Sequence, residues 1–168
     1  MNIDIHEPGL ERYPKSGVII GNLLMVIWIA LGTIACWFLI PIVAWIYLAV
    51  GVSMVWVVLR RLLCVNCYYY GKWCATGWGK LAAVFFKKGD VGKFSTSIGA
   101  KIAPITYGLL SIVPIIMLIV ALIEQVSVQR IVVLVLLIGI SAYSTVFNRR
   151  KTCVKCKMRL ICPGCAVK

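Results

Sequence analysis

The sequence predicts an all-α membrane protein with four transmembrane helices, arranged as two tandem helical hairpins with a cysteine-rich cytoplasmic cap. Three observations lead to this prediction. Of the 168 residues, 62% are hydrophobic and the mean hydropathy is +0.98, well above the values of soluble domains. Long stretches carry no charge, and the basic residues are concentrated in the segments between them. A membrane protein is therefore the class that the composition indicates.

The first hairpin is predicted over residues 16–59, which contain no charged residue. As a helix this run would measure about 66 Å, against a hydrocarbon core of about 30 Å, so the chain must fold back on itself. The turn is expected just before Pro41, because proline is well tolerated in the first turn of a helix. Asn22 is the one amide well inside the first span, where it is expected to hydrogen-bond a neighbouring helix.

The second hairpin is predicted over residues 102–148, with one span at 102–123 and another at 131–148. Pro104 and Pro114 predict a kink in the first of these spans. The N-terminal segment lacks the features of a signal peptide, so the first span is expected to persist as an anchor. The polar parts of the chain are then the N-terminal segment, a basic loop and a basic tail, at residues 1–15, 60–101 and 149–168.

Charge placement predicts the orientation of the four spans. The formal net charge is +13, and Arg130 is the only basic residue outside the three polar segments. With four spans these segments share one face, and the positive-inside rule places that face and both termini in the cytoplasm, in a protein of the cell membrane. The expected partner of the basic face is the anionic inner leaflet of the bilayer. This bias accounts for the charge, so nucleic-acid binding is not predicted.

An internal repeat relates the two halves of the chain. Residues 60–67 read "RRLLCVNC" and residues 149–156 read "RRKTCVKC", and both follow directly on the second span of a hairpin. The same offset of 89 positions carries Pro41, near the first turn, onto Arg130, near the second. These matches predict a tandem repeat in parallel orientation, with a pseudo-two-fold axis along the membrane normal. The arginine pairs are expected to lie at the lipid headgroups.

Seven of the eight cysteines lie in the basic loop and the tail. The cytoplasm keeps thiols reduced, and reduced Cys-x-x-Cys pairs are typical of metal sites. Zinc and iron–sulfur clusters both take thiolate ligands, and the spacing does not decide between them. The predicted metal ligands are Cys64, Cys67, Cys74, Cys153, Cys156, Cys162 and Cys165.

Two arrangements of these ligands fit the spacing. In the first, the tail closes a site by itself, with Cys153, Cys156, Cys162 and Cys165 as ligands. In the second, Cys64 and Cys67 of the loop join Cys153 and Cys156 of the tail across the pseudo-two-fold axis. The internal repeat favours the second arrangement, which leaves the other thiols for a further centre.

Three functions fit this pattern. One is a membrane anchor or electron-transfer accessory subunit that carries a metal–thiolate centre for a membrane or cytoplasmic redox partner. Another is a membrane thiol–disulfide oxidoreductase that uses the Cys-x-x-Cys pairs. The third is a non-catalytic membrane adaptor with a structural zinc ion. No catalytic residue is predicted, because the five acidic residues do not pair and no nucleophile motif or phosphate-binding loop is present.

The basic loop is itself expected to touch the membrane. The stretch "GKLAAVFFKKGD" predicts a short helix with Leu81, Val84 and Phe85 on one side. Such a helix either lies on the inner leaflet or packs its apolar side on the loop's own domain. An aromatic belt at the membrane interface is predicted to comprise Tyr68, Tyr69, Tyr70, Trp73 and Trp78.

Overall fold

A computed structural model describes residues 5–167, and these residues form helices, turns and loops without any strand. Four of the helices are long and apolar enough to cross a membrane. The predicted all-helical class, with four helices that could span a membrane, is therefore confirmed. The four helices comprise Lys15–Trp37, Pro41–Asn66, Ile98–Glu124 and Val128–Val154.

The second and fourth candidate spans are each built from several helical pieces. Between Pro41–Val52 (α2) and Leu59–Leu63 (α3) lies a π-helical segment, and another separates Val128–Ala142 (α6) from Arg149–Val154 (α7). The uninterrupted α-helices Lys15–Trp37 and Ile98–Glu124 are α1 and α5, and the loop contains the short helix α4, Trp78–Phe85. Short 3-10 turns at Cys64–Asn66 and Val91–Lys93 complete the secondary structure.

The two π-helical segments occupy matching places in the two halves. They are Ser53–Val58 and Tyr143–Asn148, and each has six residues. The second ends immediately before its arginine pair, whereas the first ends one residue earlier. A π-helical turn widens the helix locally and is uncommon, so two at nearly the same register are a structural likeness between the halves. The sequence offered no signal for them, because neither segment contains proline or glycine.

The two turns between candidate spans also match in length. Residues 38–40 connect α1 to α2, and residues 125–127 connect α5 to α6, so each connection has three residues. Pro41 is the first residue of α2, as predicted, where its missing N–H costs no helical hydrogen bond. In the second turn Ser127 caps α6, since its hydroxyl accepts a hydrogen bond from the Arg130 backbone N–H.

Arg130 has a local structural role at the second turn. Its guanidinium donates hydrogen bonds to the carbonyl oxygens of Ala121 and Gln125 at the C-terminal end of α5, where the Ala121 oxygen also accepts the Gln125 backbone N–H. The guanidinium also lies over the ring of Phe38 in the first turn, 5.7 Å from its centroid. The single basic residue at this end of the bundle thus caps one hairpin and contacts the other.

In the core between the candidate spans, one tyrosine compensates for the hydrogen bond that one proline cannot make. Pro114 lies inside α5 and has no N–H to donate to the carbonyl of Leu110, the acceptor one turn earlier. Tyr47 of α2 supplies the missing donor, since its hydroxyl bonds the Leu110 oxygen over 2.8 Å. Gly32 of α1 makes room for the Tyr47 ring, because a Cβ at this position would lie 2.7 Å from Tyr47 Cζ. Cys36 is fully buried in this core, as a packing residue.

The loop preceding α4 packs against the first two turns of α1. Asn22 donates a hydrogen bond to the Thr76 carbonyl (2.8 Å) and accepts one from Trp78 Nε1 (3.1 Å). Asn22 therefore bonds a neighbouring helix, as expected, but this helix is α4 of the loop and not another candidate span. Asn22 lies seven residues beyond the start of α1 at Lys15, about 10 Å along the helix axis. The loop thus contacts the side of α1 about two helical turns beyond its first residue.

Replacing Asn22 with leucine is expected to release this loop from α1. The Thr76 carbonyl and the Trp78 indole N–H would lose their partner, and polar bonds of this kind contribute about 1–2 kcal/mol in membrane proteins. Hydrogen exchange across residues 74–80 should become faster. Thr33→Val is the control, because Thr33 bonds only the Ile29 carbonyl of its own helix. Equal exchange in both variants would contradict the anchoring role.

Helix α4 turns its apolar side outwards. Val84 is 74% exposed and Phe85 73%, whereas Gly79 and Ala82 are buried against the rest of the chain. Of the two predicted placements, this exposure argues against a helix that packs its apolar side on its own domain. It favours a helix that lies on the membrane surface.

Candidate functional site

The loop, the tail and the N-terminal segment meet in a second packed cluster, separate from the core between the candidate spans. Its buried centre consists of Tyr69, Phe94 and Met158. We call the whole assembly the aromatic–cysteine cluster. Around the centre pack Tyr13, Leu63, Cys67, Tyr68, Cys74, Val91, Cys156 and Cys162. Four of the seven predicted metal ligands therefore lie in one cluster formed by segments far apart in sequence.

Tyr69 connects all three segments of this cluster. Its hydroxyl donates to the Leu10 carbonyl (2.8 Å) and accepts from the Lys157 backbone N–H (3.0 Å). Its ring makes edge-on contacts with Tyr13 and Tyr68 at centroid distances of 5.5 and 5.4 Å. Tyr69 is only 2% exposed, so its assignment to a membrane-interface belt is wrong. Tyr69 is buried by tertiary contacts, which no sequence pattern predicts.

Tyr69→Phe is expected to loosen the attachment of the tail. The change removes one hydroxyl and leaves the buried Lys157 N–H without an acceptor, at a cost of about 1–3 kcal/mol. Thermal unfolding should begin at a lower temperature, and the tail should be cut faster by trypsin. Tyr70→Phe is the matched control, because the Tyr70 hydroxyl bonds Phe86 within the same loop. A tail equally resistant in both variants would show that Tyr69 does not hold it.

An ionic network ties the same three segments together. The carboxylate of Glu11 pairs with Lys157 at 2.8 Å and with Lys72 at 3.2 Å, and it accepts a hydrogen bond from the Tyr68 hydroxyl. Hydrogen bonds from Lys157, Tyr68 and Lys72 lower the pKa of Glu11 to about 2. Lys157 also donates to the Glu7 carbonyl at 3.2 Å. The carboxylate of Glu11 therefore interacts with both the loop and the tail.

Charge interactions link the seven predicted ligands pairwise, each thiol with at least one other. Cys67 lies close enough to Cys64, Cys74 and Cys156 for their charges to interact. Cys156 in turn lies near Cys153 and Cys162. Cys162 is also near Cys165, which completes the set. The eighth thiol, Cys36, is the one buried in the core between the candidate spans, and none of the eight is in a disulfide.

These thiols are neighbours without forming a ready-made metal site. Among residues 5–167, no three histidine, cysteine, aspartate or glutamate side chains converge in a way that could hold a metal ion. Between the loop and the tail, the two thiols whose charges interact are Cys67 and Cys156. Cys153 lies with Cys162 and Cys165 of the tail. The structure thus brings the two motifs together, but it reproduces neither predicted four-cysteine arrangement.

Burial favours the protonated form of three thiols of the cluster. It raises the pKa of Cys67 to about 12, and it raises the pKa of Cys156 and Cys162 above the ordinary thiol value. The backbone N–H two positions further along lies near each of these three sulfurs and partly offsets the effect of burial on the pKa. A protonated thiol is a weak nucleophile, so the environment does not favour rapid thiol–disulfide exchange.

The first arginine of each repeated motif turns towards thiols. Because the helices continue past the arginine pairs, Arg60 is one helical turn before Cys64, and its guanidinium lies beside that thiol. Its Nη1 lies 3.4 Å from Thr76 Oγ1, and the guanidinium stacks over the Trp78 ring at 5.1 Å. Arg60 Nε is buried and has no hydrogen-bond partner among residues 5–167. Arg60 therefore contacts groups of the loop, and its placement at the lipid headgroups stays a prediction.

Arg149 repeats this arrangement in the second half of the chain. It precedes Cys153 by one helical turn, lies near Cys162, and donates a hydrogen bond to the Gly164 carbonyl. The second arginine of each pair, Arg61 or Arg150, is exposed, as is Arg149. In both halves, the first arginine of the repeated motif lies near thiols.

Comparisons of the chain with protein-family models, with curated proteins and with solved structures found no match.

Proposed function

We propose that this chain is a small multi-pass membrane protein that carries a cytoplasmic metal–thiolate centre, zinc or iron–sulfur, and serves as a membrane anchor or accessory subunit for a redox partner. One observation carries the proposal. Seven thiols from two segments, separated in sequence by an entire hairpin, are linked by charge interactions, and four of them pack in the aromatic–cysteine cluster. Thiolate-rich sites of this composition suit zinc and iron–sulfur clusters.

Metal binding in this proposal completes the folding of the cluster. The thiols approach one another without converging on a point, so a bound ion would draw them together. Metal ligation displaces thiol protons and contributes its binding energy to folding. The backbone N–H groups directed at Cys67, Cys156 and Cys162 support this role, because they would stabilise the negative sulfur of a bound thiolate.

The arginines supply the charge balance that such a site needs. Four thiolates around a zinc ion carry a net charge of about −2. Arg60 lies against Cys64, and within residues 5–167 it forms no salt bridge with an acidic side chain. A partly buried cation of this kind is stabilised by a nearby anion, and the thiols are the groups at hand that can become one. Arg149, which is exposed, would add a positive charge near Cys153 and Cys162 on the tail side.

The placement of this centre follows from the proposed topology. Four spans put the N-terminal segment, loop and tail on one face, and their basic residues assign that face to the cytoplasm, beside the anionic leaflet. We propose further that the halves are tandem repeats in parallel orientation. The equal turns and the paired π-helical segments support this relation, since they add backbone likeness to the shared motif.

Metal analysis of the full-length protein, purified without oxygen, tests the proposal. We expect at least one metal ion per chain. Broad absorbance near about 400 nm identifies iron–sulfur, and a colourless protein with stoichiometric zinc identifies a zinc centre. Cys36→Ala is the control and should keep all of its metal. Protein that contains no metal, with thiols that cycle under mild oxidant, would overturn the proposal in favour of a thiol–disulfide enzyme.

A further inference from the structure

A groove of about 540 Å³ opens between the N-terminal segment and the end of the last candidate span. Its basic residues are Arg12, Lys151 and Lys155, and its less polar surface comes from Leu10, Tyr13 and Pro14. None of these six residues belongs to the thiol set. The groove is thus a separate feature of the molecule, and the metal–thiolate proposal does not account for it.

The two walls of the groove are held together by hydrogen bonds. The Leu10 backbone N–H donates to the Lys155 carbonyl over 2.9 Å. The Tyr13 hydroxyl donates to the Thr152 carbonyl, also over 2.9 Å. The groove is therefore a fixed shape and not a chance gap between two loose segments.

The charge of the groove is unbalanced. No acidic residue lines it, and Arg12, Lys151 and Lys155 form no salt bridge within residues 5–167. The carboxylate nearest in sequence, Glu11, is engaged by Lys72 and Lys157. Three cations around one groove repel each other unless an anion lies between them. The groove therefore has the electrostatic character of an anion-binding site.

Its position identifies the source of the anion. Pro14 immediately precedes α1, and Lys151 lies in α7, at the end of the last candidate span. Both walls of the groove are thus at helix ends, where a bilayer places its headgroups. Leu10 and Tyr13 add surface suited to the boundary between headgroup and acyl chain. We propose that the groove binds the phosphate-bearing headgroup of an anionic phospholipid.

Lipid titration of the full-length protein in detergent tests this assignment. The probes are phosphatidylglycerol, phosphatidylcholine and inorganic phosphate, with retained lipid counted by native mass spectrometry and stability followed as Tm. We expect wild type to retain phosphatidylglycerol and to gain Tm from it alone. Each basic residue near an anionic surface strengthens binding about fivefold. Lys151→Gln should therefore weaken binding about fivefold, and replacing Arg12, Lys151 and Lys155 together by glutamine should weaken it on the order of a hundredfold.

The control replaces Lys87, Lys88 and Lys101 by glutamine, which removes the same charge from exposed positions outside the groove. This variant should bind phosphatidylglycerol as wild type does. An equal loss of phosphatidylglycerol binding in both triple variants would show that the overall positive charge attracts the lipid, and not the groove. Equal binding of phosphatidylcholine, or an equal gain of Tm with inorganic phosphate, would also overturn the lipid assignment. If the triple variant lost its helical circular dichroism, the single Lys151→Gln result would decide, and an unchanged affinity there would refute the site.

Discussion

Cys67→Ser and Cys156→Ser are each expected to remove the same bound metal, although the two residues lie in different halves of the chain. They are neighbours across the boundary between loop and tail, so a shared site needs both. Serine keeps the size of the side chain but supplies no thiolate for a soft metal site. The measurement is the ratio of metal to protein in each purified variant. Both variants should also unfold at lower temperature, because metal binding contributes to folding.

The contrast between the two variants separates the possible sites. A site confined to the tail predicts that Cys67→Ser keeps its full metal content while Cys156→Ser loses it, and this result would end the shared-site idea. Cys64→Ser and Cys153→Ser extend the test to the first cysteine of each motif, and a shared site predicts loss in both. Cys36→Ala should match wild type, since Cys36 lies in the core between the spans.

Gly79→Ala is expected to disrupt the loop more than any other single methyl group would. Gly79 lies in the first turn of α4, close to the backbone of the preceding aromatic segment, residues 68–73. An added Cβ would collide with the Tyr69 carbonyl and lie 2.7 Å from the Lys72 carbonyl. Backbone cannot turn aside as a flexible side chain can, so we expect a cost of about 3 kcal/mol, at the upper end for overpacking. Thermal unfolding and cysteine accessibility to a maleimide report the change.

Gly139→Ala is the matched control for this substitution. Gly139 lies inside α6, and a Cβ there would have no atom within 4 Å. The change should leave stability equal or raise it, because alanine is the better helix former. If Gly79→Ala were as stable as Gly139→Ala, with thiols no more reactive, the close packing between α4 and the aromatic segment would be wrong.

The sequence predicted the candidate spans well because one physical quantity controls them. A bilayer admits no charge at low cost, so long uncharged runs mark helices, and Pro41 marks the start of one. The spans continue further than those runs, through Arg60 to Asn66 and through Arg149 to Val154. Composition cannot define such ends, since a helix that leaves the membrane can continue in water.

The sequence predicted the cysteines of the aromatic–cysteine cluster, but not the contacts that hold the cluster together. Short spacing identified the cysteines, because Cys-x-x-Cys is a local pattern. The contacts of Tyr69 with Leu10 and Lys157 join residues up to 88 positions apart, and no local pattern encodes such pairs. The same limit explains Asn22, whose type indicated a buried hydrogen bond while its partner depended on where the loop packs.

The packing of the loop on the tail has a consequence for biosynthesis. Cys67 and Cys156 are 89 positions apart, and chains grow at about 5–20 residues per second, so roughly 4–18 s separate the synthesis of these two thiols. During that interval the second hairpin is synthesised, and the Tyr69 hydroxyl cannot yet accept the Lys157 backbone N–H. Assembly of the aromatic–cysteine cluster is therefore a late step, because its last segment is made only after the second hairpin.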